Sequence, residues 1–554
     1  MIDSLYPLFK VDTLNGFVAL AAGLFTVLTV IFSLRFMKGK PGLTRYYTYI
    51  IMTAVASAAA VLSNNLILLL ACWGFLGLTL YLLILTNNDA GLIAKKTFII
   101  VGGSDALMLL GIGIIYYLSG TVQMDEISIP LTGGSQLLAV VAYVSIAIAC
   151  FAKAGAMPFH SWIPDCAKLA PVPVVAFLPA SLDKLLGIYL LARISLNLFV
   201  MSEAMNIFLM LIGAITIIAA VMMALIQHNM KKLLGYHAVS QVGYMVLGIG
   251  TGTPIGIAGG LFHMLNNAVY KSCLFLTSGN VEYRTETTEL DELGGLSRAM
   301  PLTYFACLIA SLSISGIPPF NGFVSKWMVY QGLIEQAGSS GFVIRFTAVF
   351  CLVAAMFGSG LTLASFMKLI HATYLSRQPD ALKARKISEV PWTMWLPCLV
   401  LALICIVFGV FANQLPLKYF ILPAVEGVSF IGSWYSGLAT LLIVIGLILG
   451  IFAFRLKGLK PLVRVDSACV GGEELDLAAS RVTGTEFYNT IRDLGPLKRI
   501  YAKAEAGIFD IYEQGKAAVF SVGKFLQYLH NGILPTYLVW TLLGMILLFF
   551  ILVR

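Results

Sequence analysis

Lys153-Ala-Gly-Ala-Met-Pro-Phe159 closes an apolar run that begins at Leu137, and Ser313-Ile-Ser-Gly-Ile-Pro-Pro-Phe320 closes a similar one, with Lys326 just beyond it. The two stretches read as one pattern used twice: a membrane helix broken at proline with a lysine beside the break. An ammonium group at the middle of a bilayer costs about 2.5–3.5 kcal/mol even on a lenient insertion scale, and a proline frees backbone groups that need partners. Both are tolerable only where protein or water lines a cavity. Ion movement through a membrane is the first reading of this chain.

Composition points the same way. Of 554 residues, 59% are hydrophobic and only 11% are charged, more apolar surface than a soluble core could bury. Apolar stretches of about 20 residues recur, the length a helix needs to cross a hydrocarbon layer about 30 Å thick. They predict spans near 12–36, 46–62, 65–86, 97–119, 137–165, 171–195, 206–226, 236–251, 255–279, 301–317, 320–338, 344–376, 392–412, 436–454 and 534–553. The expected fold is an all-α polytopic membrane protein of about fifteen transmembrane helices. The first apolar segment has no basic leader or small-residue cleavage site and reads as a retained span.

The net charge of +9 does not suggest nucleic acid, because the basic residues sit in short loops. Arg35, Lys38, Lys40 and Arg45 follow the first span, Lys95 and Lys96 the third, and Lys231 and Lys232 the seventh, whereas the loop carrying Asp125 and Glu126 has no lysine or arginine. These basic loops are expected on the cytoplasmic side. The basic segments 377–386 and 455–464 share that side only if one crossing is miscounted. Nine scattered cysteines form no Cys-x-x-Cys pair, and no glycine-rich loop precedes a Lys-Ser or Lys-Thr pair. The chain is therefore expected to carry no cofactor or metal of its own and to hydrolyse no nucleotide.

Asp105, Lys153, Asp183, Lys184, His263, Lys271, Lys326, Lys368 and His371 all fall in or beside apolar runs. A lysine near a span end can snorkel to the interface. That reading fails best for Lys153 and for Lys271, which lies near the middle of its run. A lysine stripped of water can lose and regain a proton in function. His263 lies eight residues before Lys271, a little over two helical turns, so both project on nearly the same face, with Asn266, Asn267 and Tyr270 between them. A buried histidine is most often a satisfied structural group. Beside a lysine and two asparagines, it also suits a hydrated path.

Longer motifs extend these observations. Ala152-Lys-Ala-Gly-Ala-Met-Pro-Phe-His-Ser-Trp-Ile-Pro-Asp165, Ala170-Pro-Val-Pro-Val-Val-Ala176, Leu233-Leu-Gly-Tyr-His-Ala-Val-Ser-Gln-Val-Gly-Tyr-Met245, Phe262-His-Met-Leu-Asn-Asn-Ala-Val-Tyr-Lys271 and Gly316-Ile-Pro-Pro-Phe-Asn-Gly-Phe-Val-Ser-Lys326 follow one another in order. Over roughly residues 10–412 the chain resembles the antiporter-like, proton-translocating subunit family shared by respiratory complex I, Mrp-type cation/proton antiporters and energy-converting membrane-bound hydrogenases. The resemblance implies two inverted five-helix repeats, each with a broken helix, and a polar axis at the membrane centre. It implies that Lys153 is the central lysine of the first break, Lys271 the bridging lysine and Lys326 the terminal lysine of the second break, with His263 relaying between them.

The chain also departs from the family pattern. The carboxylate that follows a tryptophan in relatives is Gly74 here, in Ala71-Cys-Trp-Gly-Phe-Leu-Gly77, and a usual histidine is replaced by Pro179. In relatives that carboxylate pairs with the lysine of the broken helix. Asp183, four residues past Pro179, is a candidate to supply the missing charge by pairing with Lys153; the alternative is that Asp183 and Lys184 satisfy each other. Asp105 matches a family aspartate without its usual nearby arginine. Asp105, Asp183, Lys184, Lys368 and His371 are candidate pathway or compensating charges. By resemblance the chain begins near the third helix of complex I members, which points away from a plain complex I subunit.

After Phe454 a polar stretch carries Gly471-Gly-Glu-Glu-Leu-Asp476 and Gly484-Thr-Glu-Phe-Tyr488. A segment over 496–531 then repeats apolar residues at helical spacing among charges, predicting an amphipathic helix on the membrane before the last span. It resembles the lateral strut of some family members, which lies along neighbouring subunits; a lipid-facing helix is the alternative. The expected organisation is 1–45 first span and basic loop, 46–226 first repeat, 227–391 second repeat, 392–454 further spans, 455–533 polar segment and lateral helix, and 534–554 anchor.

The resemblance implies a proton- or sodium-translocating subunit of a redox-driven complex in a prokaryotic cytoplasmic membrane, a membrane hydrogenase or complex I relative. Its partners would be other membrane and peripheral subunits, lipid and the moving ions. Iron–sulfur clusters, with a nickel–iron centre in the hydrogenase case, would lie in those partner subunits. Rival readings are an Mrp-type antiporter driven by an ion gradient and a structural spacer that has lost pumping, which Gly74 makes credible. A transporter of dissolved inorganic carbon on the same fold is more distant.

Overall fold

The computed structural model describes residues 8–132, 136–339, 341–432, 434–455 and 485–553. The Gly471 motif, Gly484 and the rest of residues 456–484 of the predicted 455–533 segment lie outside the described residues. The described chain divides into two compact units, Met1–Leu494 and Gly495–Arg554.

The first unit is a helical array: α1 Thr13–Phe36, α2 Leu43–Leu62, α3 Leu66–Ile84, α4 Gly91–Ser119, α5 Gln136–Ala154, α6 Trp162–Leu169, α7 Val172–Leu198, α8 Glu203–Leu225, α9 Met230–Gly250, α10 Pro254–Thr285, α11 Pro301–Ser315, α12 Asn321–Ala337, α13 Phe342–Leu375, α14 Trp392–Val410 and α15 Ser436–Arg455. Asp12, Asn65, Ser202, Asn229 and Thr253 start α1, α3, α8, α9 and α10 by accepting hydrogen bonds from first-turn N–H groups. Two parallel strands, β1 Ile129–Pro130 and β2 Phe199–Val200, tie the loop before α5 to the loop after α7.

A helix occupies each range predicted as a span. Among the described residues ten helices are long and apolar enough to cross a membrane. α2, α9, α10, α11 and α12 fall outside that set. α9 and α10 are buried along nearly their whole length and carry His237, Gln241, His263, Asn266, Asn267 and Lys271, so their polarity faces protein. α13, by contrast, presents Phe342, Phe346, Phe350, Val353 and Phe357 outward, as a lipid-facing helix does.

The predicted span 137–165 is two helices. α5 ends at Ala154, Gly155 takes the left-handed conformation (φ +84°), and α6 starts at Trp162. The second break repeats this, α11 ending at Ser315 before Gly316 (φ +78°). Small residues let the central helices touch: a Cβ on Gly213 would lie 2.7 Å from the Gly243 carbonyl oxygen, and one on Gly243 would lie 2.6 Å from that of Gly213, so α8 and α9 meet backbone to backbone.

The second unit consists of α16 Gly495–Glu505, α17 Ile511–Leu529 and α18 Leu534–Leu552. The single amphipathic helix predicted over 496–531 is therefore two helices. Gly507 adopts φ +76°, and Asp510 accepts from the Tyr512 N–H to start α17. Gly532 (φ +77°) makes the break before the last helix.

Candidate ion-translocation site

At the first break, the end of α5 leaves backbone carbonyls without helical partners. α7 lies close enough that a Cβ on Gly187 would sit 2.9 Å from the Cys150 carbonyl oxygen, and Lys184 of α7 donates to the Ala154 carbonyl oxygen at 3.0 Å. Pro179 cannot donate an N–H, and α7 widens there into a π turn over Leu178–Leu182, immediately before Asp183. Asp183 Oδ1 lies 4.0 Å from the Lys153 ammonium, which also sits 4.7 Å from the centre of the Trp73 ring. Lys153 and Asp183 are fully buried, and neither the ammonium nor either carboxylate oxygen has a hydrogen-bond partner. Lys184 bonds to the Ala154 carbonyl, and its charge also acts on the Asp183 carboxylate beside that of Lys153.

Gly74 of α3 faces the third charge. A Cβ there would lie 3.7 Å from Asp105 Oδ2, and the Asp105 carboxylate acts on Lys153 through space. Its Oδ1 is buried without a hydrogen bond. The structure therefore gathers Asp105 and Asp183 about Lys153, and Gly74 supplies no side chain beside Asp105.

The second break is built differently. Lys326 of α12 donates to the Ile314 carbonyl oxygen at 2.8 Å and lies 4.7 Å from the Tyr244 ring centre. His263 Nδ1 is 2.9 Å from Ser325 Oγ, and its Nε2 is 3.1 Å from Gln241 Oε1 and 3.2 Å from the Tyr270 hydroxyl. Asn266 donates to the Asn321 carbonyl oxygen at 3.0 Å, Asn321 returns a bond to Asn266 Oδ1 at 2.9 Å, and Ser313 bonds the Asn321 side chain.

Lys271 stands between the two breaks. It donates to the Leu234 carbonyl oxygen at 2.9 Å, freed from helical bonding by no break, and its ammonium is 5.6 Å from the Phe366 ring centre. His237 packs on the same ring at 4.7 Å, with Nε2 2.7 Å from Ser365 Oγ. Lys368 donates to the carbonyl oxygens of Leu225 and Gln227 at 2.5 and 2.8 Å, closing the end of α8. His371 is not brought to this chain: α13 changes to a π turn at that residue, and its side chain is exposed.

His237, Gln241 and Ser325 were not singled out as site residues by sequence. His237, Gln241 and Tyr244 recur one helical turn apart in a buried helix, a signal that could have found them. The arrangement can hold, move and re-orient protons: the lysines carry charge, and the serine, histidine, glutamine and tyrosine groups exchange hydrogen bonds between them.

The family profile described as NADH:quinone oxidoreductase/Mrp antiporter, TM, matches residues 63–351. The chain is 30% identical over 423 residues to the Na(+)/H(+) antiporter subunit A1 of Staphylococcus haemolyticus, covering 73% of this chain and 52% of that protein. It is 29% identical over 427 residues to hydrogenase-4 component B of Escherichia coli, covering 74% of this chain and 63% of the relative. The chain thus spans between about half and two thirds of the length of these two relatives. Its fold resembles a chain in the structure of the membrane-bound sulfane sulfur reductase, an archaeal respiratory membrane complex, with a TM-score of 0.78 at 24% identity, covering 98% of this chain and 89% of that one.

Proposed function

This chain belongs to the NADH:quinone oxidoreductase/Mrp antiporter transmembrane family, and from that premise we propose that it is the proton- or sodium-translocating subunit of a redox-driven membrane complex. The carrying observation is the Lys153–Asp183 pair, buried with no hydrogen bond to either partner. Burying an ion pair without such bonds is seldom a gain in stability. A charge that must be mobile explains its retention.

In this reading fifteen helices span a prokaryotic cytoplasmic membrane as two inverted five-helix repeats plus flanking spans. Lys153, Lys271 and Lys326 change protonation in turn, His263 relays toward Lys326, and Asp183 stands in for the carboxylate that Gly74 lacks. Electron transfer in partner subunits, through iron–sulfur clusters and, in a hydrogenase, a nickel–iron centre, biases one end of the axis. The fold it shares with a chain of an archaeal respiratory membrane complex is in keeping with this assembly.

The second reading, an Mrp-type antiporter driven by an ion gradient, is supported by the staphylococcal antiporter subunit, the relative at 30% identity. A non-pumping spacer is the third, resting on Gly74. Purifying the tagged chain with its partners from native membranes and assaying iron and nickel separates them. Iron with nickel marks a hydrogenase, and iron alone marks a complex I relative or other redox complex. Small membrane partners without either metal overturn the redox reading. A complex that assembles but moves no ion leaves the spacer.

A further inference from the structure

The buried chain needs contact with water, and one cluster that the lysine axis does not use lies where α8 ends and the loop after α10 begins. Residues 228–230 and 288–290 are held side by side: Met230 N–H donates to the Thr288 carbonyl oxygen at 2.8 Å, Leu290 N–H to that of His228 at 2.8 Å, and the Asn229 side chain to Thr288 Oγ1 and Glu289 Oε1 at 2.9 and 2.8 Å. This clamp sets His228 Nδ1 2.7 Å from Asp291 Oδ2, both side chains being about two-fifths exposed, at 41% and 39%. Directly beneath, Lys368 donates to the carbonyl oxygen of Gln227, the residue before His228, and the Asp291 carboxylate acts on its ammonium.

From Lys368 the route turns inward along α13. Ser365, one turn earlier on the same helix, bonds His237, and the Lys368 charge reaches that histidine, as do those of Lys271 and Lys326. His237 is fully buried, and its Nδ1 has no hydrogen-bond partner. A ring nitrogen buried with no partner is costly unless something transient uses it. The Phe366 ring, itself buried, packs on His237 at 4.7 Å and lies 5.6 Å from the Lys271 ammonium.

We infer that His228, Asp291 and Lys368 form the port through which protons pass between water and His237, on the side of the molecule carrying Lys231 and Lys232, and that the Phe366 ring gates the last step to Lys271. The proposal rests on the translocation reading above. One proton moves at a time and no bond other than N–H or O–H changes: His228 or Asp291 takes a proton from water, a neutral Lys368 accepts it and becomes an ammonium, and His237 receives it as Lys368 returns to the neutral amine. Thr485 and Tyr488, part of a motif the lysine axis leaves unused, roof this port. Thr485 bonds Asp291, the Tyr488 hydroxyl donates to the Ala364 carbonyl oxygen at 2.7 Å, and its ring lies 5.6 Å from the Lys368 ammonium.

The test uses the whole complex in sealed vesicles with a pH-sensitive dye, driven by whichever force, electron donor or sodium gradient, moves protons in the unmodified complex. His228→Ala should lower the initial rate about a hundredfold, the low side of what a positioned proton carrier contributes, and imidazole in the medium should restore it. Lys271→Met, deeper in the chain, should stop movement with no rescue by imidazole. If the His228→Ala/Asp291→Asn double variant keeps the unmodified rate while Lys271→Met abolishes it, the port is wrong and the translocation reading stands. A loss in His228→Ala that imidazole leaves unrepaired in an assembled complex marks a structural role and also overturns the port. Absence of proton movement in the unmodified complex removes both.

Discussion

The two helix breaks share a sequence pattern and a left-handed glycine, yet the lysine of the first is held by charge and that of the second by a hydrogen bond. Around Ala154, Lys153 meets Asp183 at 4.0 Å with neither group hydrogen-bonded, and Asp105 stands near with one oxygen unpartnered. Around Ile314, Lys326 has a carbonyl partner and His263 has Ser325, Gln241 and Tyr270. A satisfied polar network is rigid and defines one geometry; an unsatisfied ion pair is held only by its own charges. In the proposed translocation reading, the first break is where a charge would be moved at least cost.

The largest test of that contrast is Asp183→Leu. It strands a buried ammonium and should cost about 3–5 kcal/mol, while the Lys153→Met/Asp183→Leu double variant should recover most of the loss. Denaturation midpoints of the detergent-solubilised protein give both numbers, and a double variant no more stable than the single one would dissolve the pair. Asp183→Asn should slow ion movement in vesicles; unchanged transport with intact assembly sinks the compensating role of Asp183.

Next comes Gly74→Glu, which puts a second carboxylate beside Asp105. Like charges in a poorly hydrated site cannot both ionise cheaply, so ion movement should fall severalfold and return when Asp105→Asn is added. No recovery in the double variant would mean that Gly74 matters for helix packing and not for charge. At the second break, Ser325→Ala leaves His263 Nδ1 without its partner and should cost about 1–3 kcal/mol, with Lys326 still bound to its carbonyl. A stability loss as large as that of Asp183→Leu would erase the difference between the two breaks.

The smallest effect lies outside both. Asp125, in the loop between α4 and α5, is held below the usual carboxylate range by the Asn64 amide, then by Lys10. A lowered carboxylate stabilises the fold above its unfolded value, about 3.9, and that contribution disappears as pH falls through the lower folded value. Asp125→Asn should therefore flatten the acid limb of stability by no more than about 1 kcal/mol, as befits an exposed pair. Acid titrations of the two proteins, superimposed throughout, would deny the group any role.

Much of this was legible in the chain itself, for reasons that can be named. Apolar runs located the helices because a bilayer demands about 20 such residues, and lysines inside those runs stood out because they are costly there. Lys153, Lys271 and Lys326 stand out that way, and all three are buried. Where α5 stops was blurred, since the run from Leu137 stays apolar past Ala154 and only Gly155 and Pro158 mark the turn. The partners were harder to see. Ser325 reaches His263 across 62 positions and Ser365 reaches His237 across 128, so nothing local announces either contact. His371 misled because it follows Lys368 by less than a helical turn, while the π turn starting there leaves it exposed.

The central claim is that ions cross this molecule along its buried lysines. The purified complex in sealed vesicles, with and without Lys271→Met, tests it most directly. Ion movement is expected in the unmodified complex and none in the variant, with the same partner subunits present in both. Equal movement in the two would contradict it.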